Sequence, residues 1–85
     1  MYGVSDLDRI LAAELDHARD LLVAMGDELA MNLDVVAEHG VALQVVDIVG
    51  QMLGHIANVV RAEDRRAAVD KIGMCELKAT LAAAA

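Results

Sequence analysis

The chain of 85 residues contains no proline, one cysteine and one aromatic residue, Tyr2. Because phenylalanine and tryptophan are missing, the core has to consist of Leu, Ile, Val, Met and Ala, a mixture that suits close packing of helices. Because Cys75 has no second cysteine to pair with, an internal disulfide is excluded, and the composition fits a reducing compartment. We therefore expect a cytoplasmic helical protein.

Basic residues and long apolar runs are also scarce. Seven Lys and Arg stand against fourteen Asp and Glu, a formal net charge of −7, which argues against nucleic acid or an anionic membrane as a partner. The longest uncharged run, residues 48–60, has thirteen residues, whereas a membrane span needs roughly 18. The N-terminus lacks a basic segment followed by an apolar stretch, so we expect no secretory signal.

Helical periodicity begins at a capping signal near the N-terminus. Ser5 followed by Asp8 resembles a capping box with Asp in place of Glu. Apolar positions then repeat at helical spacing, and they are Leu7, Leu11, Leu15, Ala18, Leu22, Met25 and Leu29. This pattern predicts one amphipathic helix over about residues 6–31.

The start of the second helix has two candidate positions. Asn32 or Asp34 could cap a new helix. Alternatively, Gly40 could follow the C-terminus of the first helix, with His39 in its last turn. We favour the earlier break, because it produces two helices of similar length that can lie antiparallel. The second helix is then predicted over about residues 35–62.

A third, shorter helix is predicted over about residues 64–82, capped by Glu63 or Asp64. We expect Cys75 to lie in the core, because it follows Ala68 and Ile72 at helical spacing. Three further apolar residues point elsewhere on this helix and need cover from another surface, which makes them candidates for a dimer contact: Met74, Leu77 and Leu81.

These elements together predict a single domain over residues 1–85. Its fold class is all-α, and its architecture is a small antiparallel bundle of three helices, two long and one short. A chain of this size buries only about 60–65% of its unfolded surface, so its stability depends on further association. We therefore expect the bundle to form a homodimer.

A stripe of polar residues runs along the otherwise apolar second helix. On a helical wheel the stripe occupies one arc of roughly 120°, and its members are Gln44, Asp47, Gln51, His55, Asn58 and Arg61. The small residues Gly50, Gly54 and Ala57 lie on one flank and allow another backbone to approach closely. The simplest interpretation is a side that faces water. Because the stripe holds amides and a histidine rather than Lys and Glu, the alternative is a surface for a protein partner.

Part of this stripe has a counterpart in a known family. The segment LQVVDIVGQ, residues 43–51, resembles the helical segment around the functional glutamine of the CheZ chemotaxis phosphatases. In that family the glutamine orients the attacking water, so the resemblance implies this role for Gln51. It covers nine of the 85 residues. The alternative function is therefore a signalling enzyme or phosphorelay component that uses Gln51, Asp47 or His55.

Glu14 and His17 form a second pattern, because they lie one helical turn apart. Di-iron helical bundles use such a pair on each of two helices. That site also needs inward-facing Glu residues from two further helices, and the chain offers only the short Asp47 and Glu38 near the uncertain boundary. A metal-binding bundle is the second alternative, but we expect no metal or other cofactor.

Other catalytic arrangements find little support in the chain. Ser5 and Thr80 lie near the termini, and the six glycines are scattered through helical patterns rather than gathered in a phosphate-binding loop. We therefore predict a non-catalytic helical interaction module, an adaptor or regulator. It is expected to form a homodimer and to bind another protein through the polar stripe.

Overall fold

The computed structural model describes residues 4–84, and this range contains four helices and no strand. The helices are α1 (Asp6–Ala30), α2 (Leu33–Arg61), α3 (Arg65–Asp70) and α4 (Cys75–Ala84). The all-α fold class is thus confirmed. The bundle of three helices is not confirmed, because α1 and α2 form a hairpin, α3 packs on α2, and α4 packs mainly on α3.

Three helices begin at capping side chains. The Ser5 hydroxyl accepts a hydrogen bond from the Asp8 amide at 3.0 Å, and the Asp8 carboxylate accepts one from the Ser5 amide at 3.4 Å. The Asn32 side chain accepts from the amides at the start of α2, and Asp64 accepts from the Ala67 amide at 3.0 Å. Each cap satisfies backbone donors that have no partner within the helix. The capping box is therefore used as the sequence suggests, and of the alternatives that the sequence left open, Asn32 rather than Asp34 caps α2 and Asp64 rather than Glu63 caps α3.

The competing boundary near Gly40 is a kink within α2. His39 has φ −127° and ψ 25°, outside the helical region, while the helix continues on both sides. Gly40 follows directly, and glycine is the residue that least favours a helix apart from proline. The true break between α1 and α2 lies earlier, at Met31 and Asn32.

The prediction of one continuous third helix is wrong. Residues 71–74 interrupt it between α3 and α4, and Gly73 within this segment lowers the cost of leaving the helix. The interruption accompanies the burial of Val69 and Ile72, which are 3% and 6% exposed. Cys75 begins the new helix and is exposed, so its predicted place in the core is also wrong.

Small residues line the contact between α1 and α2. A Cβ added at Gly26 would lie 3.0 Å from Val46 Cγ1, and one added at Gly50 would lie 3.4 Å from Val23 Cγ2. Ala57 on α2 is fully buried, and Ala12 on α1 is 2% exposed. The flank with Gly50, Gly54 and Ala57 therefore faces α1, where small side chains let the two helices approach closely.

The hairpin has almost no interior of its own. Among residues 4–84, the buried apolar side chains are Ala12, Ala57, Val69 and Ile72, and no large side chain is fully buried. The molecule measures 53 × 26 × 15 Å, so its thinnest dimension corresponds to one layer of helices. Its radius of gyration is 15.2 Å, against about 12 Å for a compact domain of this length.

Candidate interaction surfaces

The polar stripe on α2 is largely open to solvent. Gln44, Asp47, Gln51 and Asn58 are exposed, and His55 is half-buried beside α3. None of these five side chains forms a hydrogen bond to another residue within the described range. The stripe thus presents unpaired amide and carboxylate groups that water or a partner can bind.

Arg61 differs from the rest of the stripe because its guanidinium binds α1. It forms an ion pair with the Asp16 carboxylate and donates to the Ala12 carbonyl at 3.5 Å. Nearby, Arg65 forms a second ion pair with Asp8 at 2.8 Å. Both arginines therefore connect the end of α2 and the start of α3 to the first half of α1. Because the Arg61 side chain is still 42% exposed, water screens this attraction.

A shallow cleft lies where α3 meets α2. It has a volume of about 490 Å³ and is lined by His55, Asn58, Ala62, Asp64, Ala67, Ala68, Lys71 and Ile72. The cleft includes the last part of the polar stripe but not Gln44, Asp47 or Gln51. A catalytic histidine needs a neighbouring group that orients it. His55 has no such hydrogen-bonded neighbour within the described chain.

The largest exposed feature of the hairpin is apolar. Exposed fractions reach 64% at Leu7, 62% at Leu21 and 77% at Val41. We use the name apolar face for ten of these residues, which are Leu7, Ile10, Leu11, Leu21, Met25 and Leu29 of α1 and Val41, Val45, Ile48 and Val49 of α2. Five of the seven residues in the apolar repeat of α1 are thus exposed rather than packed.

The two halves of the apolar face lie on the same side of the hairpin. Each helix can be viewed from its own N-terminus. In α1 the exposed apolar arc then lies about 100° anticlockwise of the residues that contact α2. In α2 it lies about 140° anticlockwise of the residues that contact α1. Because the two helices are antiparallel neighbours, rotation in the same sense in both directs the arcs toward one side. The polar stripe and the acidic residues of α1, including Asp20 and Asp27, lie clockwise of the contact. On α2 the two arcs adjoin, because Ile48 lies only about 60° around the helix from Gln51.

Glu14 and His17 are both exposed on α1, and Glu14 falls within the arc of the apolar face. Within residues 4–84, no three His, Cys, Asp or Glu side chains lie close enough together to hold a metal ion. The pair thus lacks further ligands from its own chain, which a transition metal site requires.

The candidate dimer residues at and before α4 are less exposed than the apolar face. Met74 lies in the interruption before α4, and Leu77 and Leu81 lie on α4; all three are half-buried. They retain some accessible apolar surface.

The length and composition of α2 also meet the criteria for a membrane span. The best 18-residue window of Leu33–Arg61 has a mean hydropathy of 1.3, and 11% of it is buried. The same criteria are met by apolar helices that pack against protein. The distribution of polar groups along α2 bears on this choice, because the stripe places Gln44, Asp47 and Gln51 on one side of the window.

Comparisons with known proteins place the chain in no family. No protein-family model matches it, and neither a curated protein nor a solved structure does. The resemblance of the segment around Gln51 to the CheZ phosphatases therefore gains no support from these comparisons.

Proposed function

We propose that the chain is a non-catalytic helical interaction module that forms a homodimer and binds another cytoplasmic protein. One observation carries this proposal. The described chain buries no large side chain completely, while ten large apolar residues are exposed on one side of a hairpin. Burial of apolar surface is the main force that stabilises a fold. A chain that leaves so much of this surface in water needs a partner to cover it.

The polar stripe is the proposed surface for the second protein. Gln44, Asp47, Gln51 and Asn58 are exposed, and His55 lies at the cleft beside α3. Amides both donate and accept hydrogen bonds, so they suit a half-buried protein interface better than a catalytic centre. Because the stripe and the apolar face occupy different arcs of α2, we expect that a dimer and a bound partner can be present together. The proposal requires no cofactor.

The chemistry of the surface also supports a protein rather than a membrane or nucleic acid as the partner. The net charge of −7 repels phosphates and anionic lipids. A membrane-spanning α2 would bring Asp47 and the amides of the stripe into hydrocarbon, where each unpaired polar group is costly. A cytoplasmic location follows from this proposal.

Self-association can be tested by light scattering on the purified chain at micromolar concentration. We expect a mass near twice 9.0 kDa, falling toward the monomer mass on dilution. Partner binding is tested separately by capture from the native cell followed by mass spectrometry. A mass of 9.0 kDa at every concentration would contradict the homodimer.

A further inference from the structure

The accessible surface area of the chain is larger than that expected for a compact monomer of the same mass. It amounts to 6195 Å², whereas a compact monomer of this mass exposes about 4,900 Å². The excess is about 1,300 Å² per chain, or about 2,600 Å² for two chains, which is the area that obligate homodimers bury. The apolar face is the part of the surface with the composition of such an interface.

The residue spacing on this face is that of packed helices. On α1 the outward positions Leu7, Leu11, Glu14, Ala18, Leu21 and Met25 follow one another at alternate steps of four and three residues. On α2 the positions Val41, Val45, Ile48 and Met52 repeat the same steps. This repeat forms an apolar seam on each helix, interrupted on α1 at Glu14, as in the packed helices of coiled coils and four-helix bundles.

We infer that two copies pack through their apolar faces and form an antiparallel four-helix bundle. This inference rests on the proposed homodimer and specifies which surface forms it. Each hairpin is one layer of helices, and two layers enclose the core that a single chain lacks. The same surface on both copies makes the contact, as a two-fold dimer requires. The polar stripes then face outward on both sides of the bundle.

A charge introduced into the apolar face tests the inference. Val45 is 51% exposed in the single chain, so Val45→Glu creates no clash within the hairpin, and circular dichroism shows whether the variant stays helical. In the dimer the carboxylate would be buried without a partner. We expect the dimer dissociation constant to rise by at least about 100-fold.

The matched control is Gln51→Glu, which adds the same charge six residues along the same helix, about 120° around it and on the polar stripe. Its dimer dissociation constant should stay within about threefold of the unmodified chain. A third variant, Leu81→Glu, examines the alternative contact through α4. Sedimentation equilibrium on all four proteins provides the dissociation constants.

A labelling measurement keeps the test decisive if Val45→Glu fails to fold. In a Cys75→Ser background, Val45→Cys and Gln51→Cys each present one thiol to a maleimide. We expect Val45→Cys to react about tenfold more slowly in concentrated than in dilute protein, because the dimer covers it. Gln51→Cys should react equally fast in both.

The outcomes separate the inference from the proposed function. If the unmodified chain is a dimer and Val45→Glu dissociates no more than Gln51→Glu, the apolar face is not the interface, although self-association stands. Dissociation by Leu81→Glu alone would assign the contact to α4 and overturn the inference. If the unmodified chain is monomeric at every concentration, both fail, and flotation with phosphatidylcholine vesicles would show whether lipid covers the face instead.

Discussion

At the scale of single residues, exposure separates the possible roles of the polar stripe. A buried stripe would hold its amides in hydrogen bonds, and their loss would cost stability. Gln44, Gln51 and Asn58 are exposed instead, and the structure shows no hydrogen bond from their side chains within residues 4–84. Water and a protein partner are the two environments consistent with this geometry.

Alanine substitutions distinguish these two environments. We expect Gln44→Ala, Gln51→Ala and Asn58→Ala to change the free energy of unfolding by no more than about 0.5 kcal/mol. Binding of a captured partner should weaken by about 1–2 kcal/mol for the central Gln51. Urea unfolding and capture yields measure the two effects. Unchanged capture by all three variants would identify the stripe as a solvated surface, and a large loss of stability at Gln51 would mean that it is buried.

Glycines test the close contact between α1 and α2. Gly26→Ala places a methyl group 3.0 Å from Val46 Cγ1, whereas Gly40→Ala meets nothing within 4 Å. Both substitutions replace glycine by a residue of higher helix propensity, which by itself raises the free energy of unfolding by about 0.5–1 kcal/mol. Only Gly26→Ala forces the stiff side chain of Val46 to move. We expect Gly26→Ala to be less stable than Gly40→Ala by about 1 kcal/mol or more, measured by urea unfolding at equal protein concentration. Equal stability would mean that the helices adjust freely here.

At the scale of helices, local signals and tertiary contacts decide different boundaries. The starts of α1, α2 and α3 follow from Ser5, Asn32 and Asp64, whose side chains bind the first amides of each helix. The interruption between α3 and α4 has no comparable local signal apart from Gly73. It accompanies the burial of Ile72 at the cleft beside His55.

The cap of α2 can be tested by substitution. Asn32→Ala removes the acceptor for the Asp34 and Val35 amides and should lower the free energy of unfolding by about 1 kcal/mol. Asn32→Asp keeps an acceptor at the same position and should retain stability. Thermal unfolding followed by circular dichroism provides the comparison. If both variants lose the same amount, the amide of Asn32 has a role other than capping.

At the scale of the whole molecule, the surface of the hairpin divides into an apolar side and a polar side. One side of the hairpin is apolar and the other carries the polar stripe and the acidic residues of α1. In the proposed dimer, the apolar side forms the self-contact and the polar side stays open to a second protein. Within the apolar face, Glu14 is the polar exception at a seam position, and one buried polar residue in such a seam selects the register of a bundle at some cost in stability.

Removal of the Glu14 charge should therefore strengthen the dimer. We expect Glu14→Gln to lower the dimer dissociation constant by about tenfold, because an amide is less costly to bury than a carboxylate. Asp27→Asn removes one charge from the opposite side of α1 and corrects for the change in net charge. Sedimentation equilibrium compares the two variants. Equal effects would place Glu14 outside the interface.

The sequence by itself determined the all-α class, the extents of the two long helices and their capped starts. These features depend on apolar periodicity and on side chains that bind amides two or three residues away, so no distant contact is needed. The kink at His39 also coincides with the second candidate boundary, because the low helix propensity of Gly40 is local.

Only the tertiary structure decided which part of each apolar surface is covered. The repeat from Leu7 to Leu29 predicts an apolar side of α1, but α2 packs on the flank with Ala12 and Gly26. Small side chains allow the closest approach there, and one neighbouring helix covers only part of a helix circumference. Most of the large apolar residues therefore remain outside the contact. Helical periodicity shows that a surface needs cover, whereas the distances between helices determine which neighbour provides it.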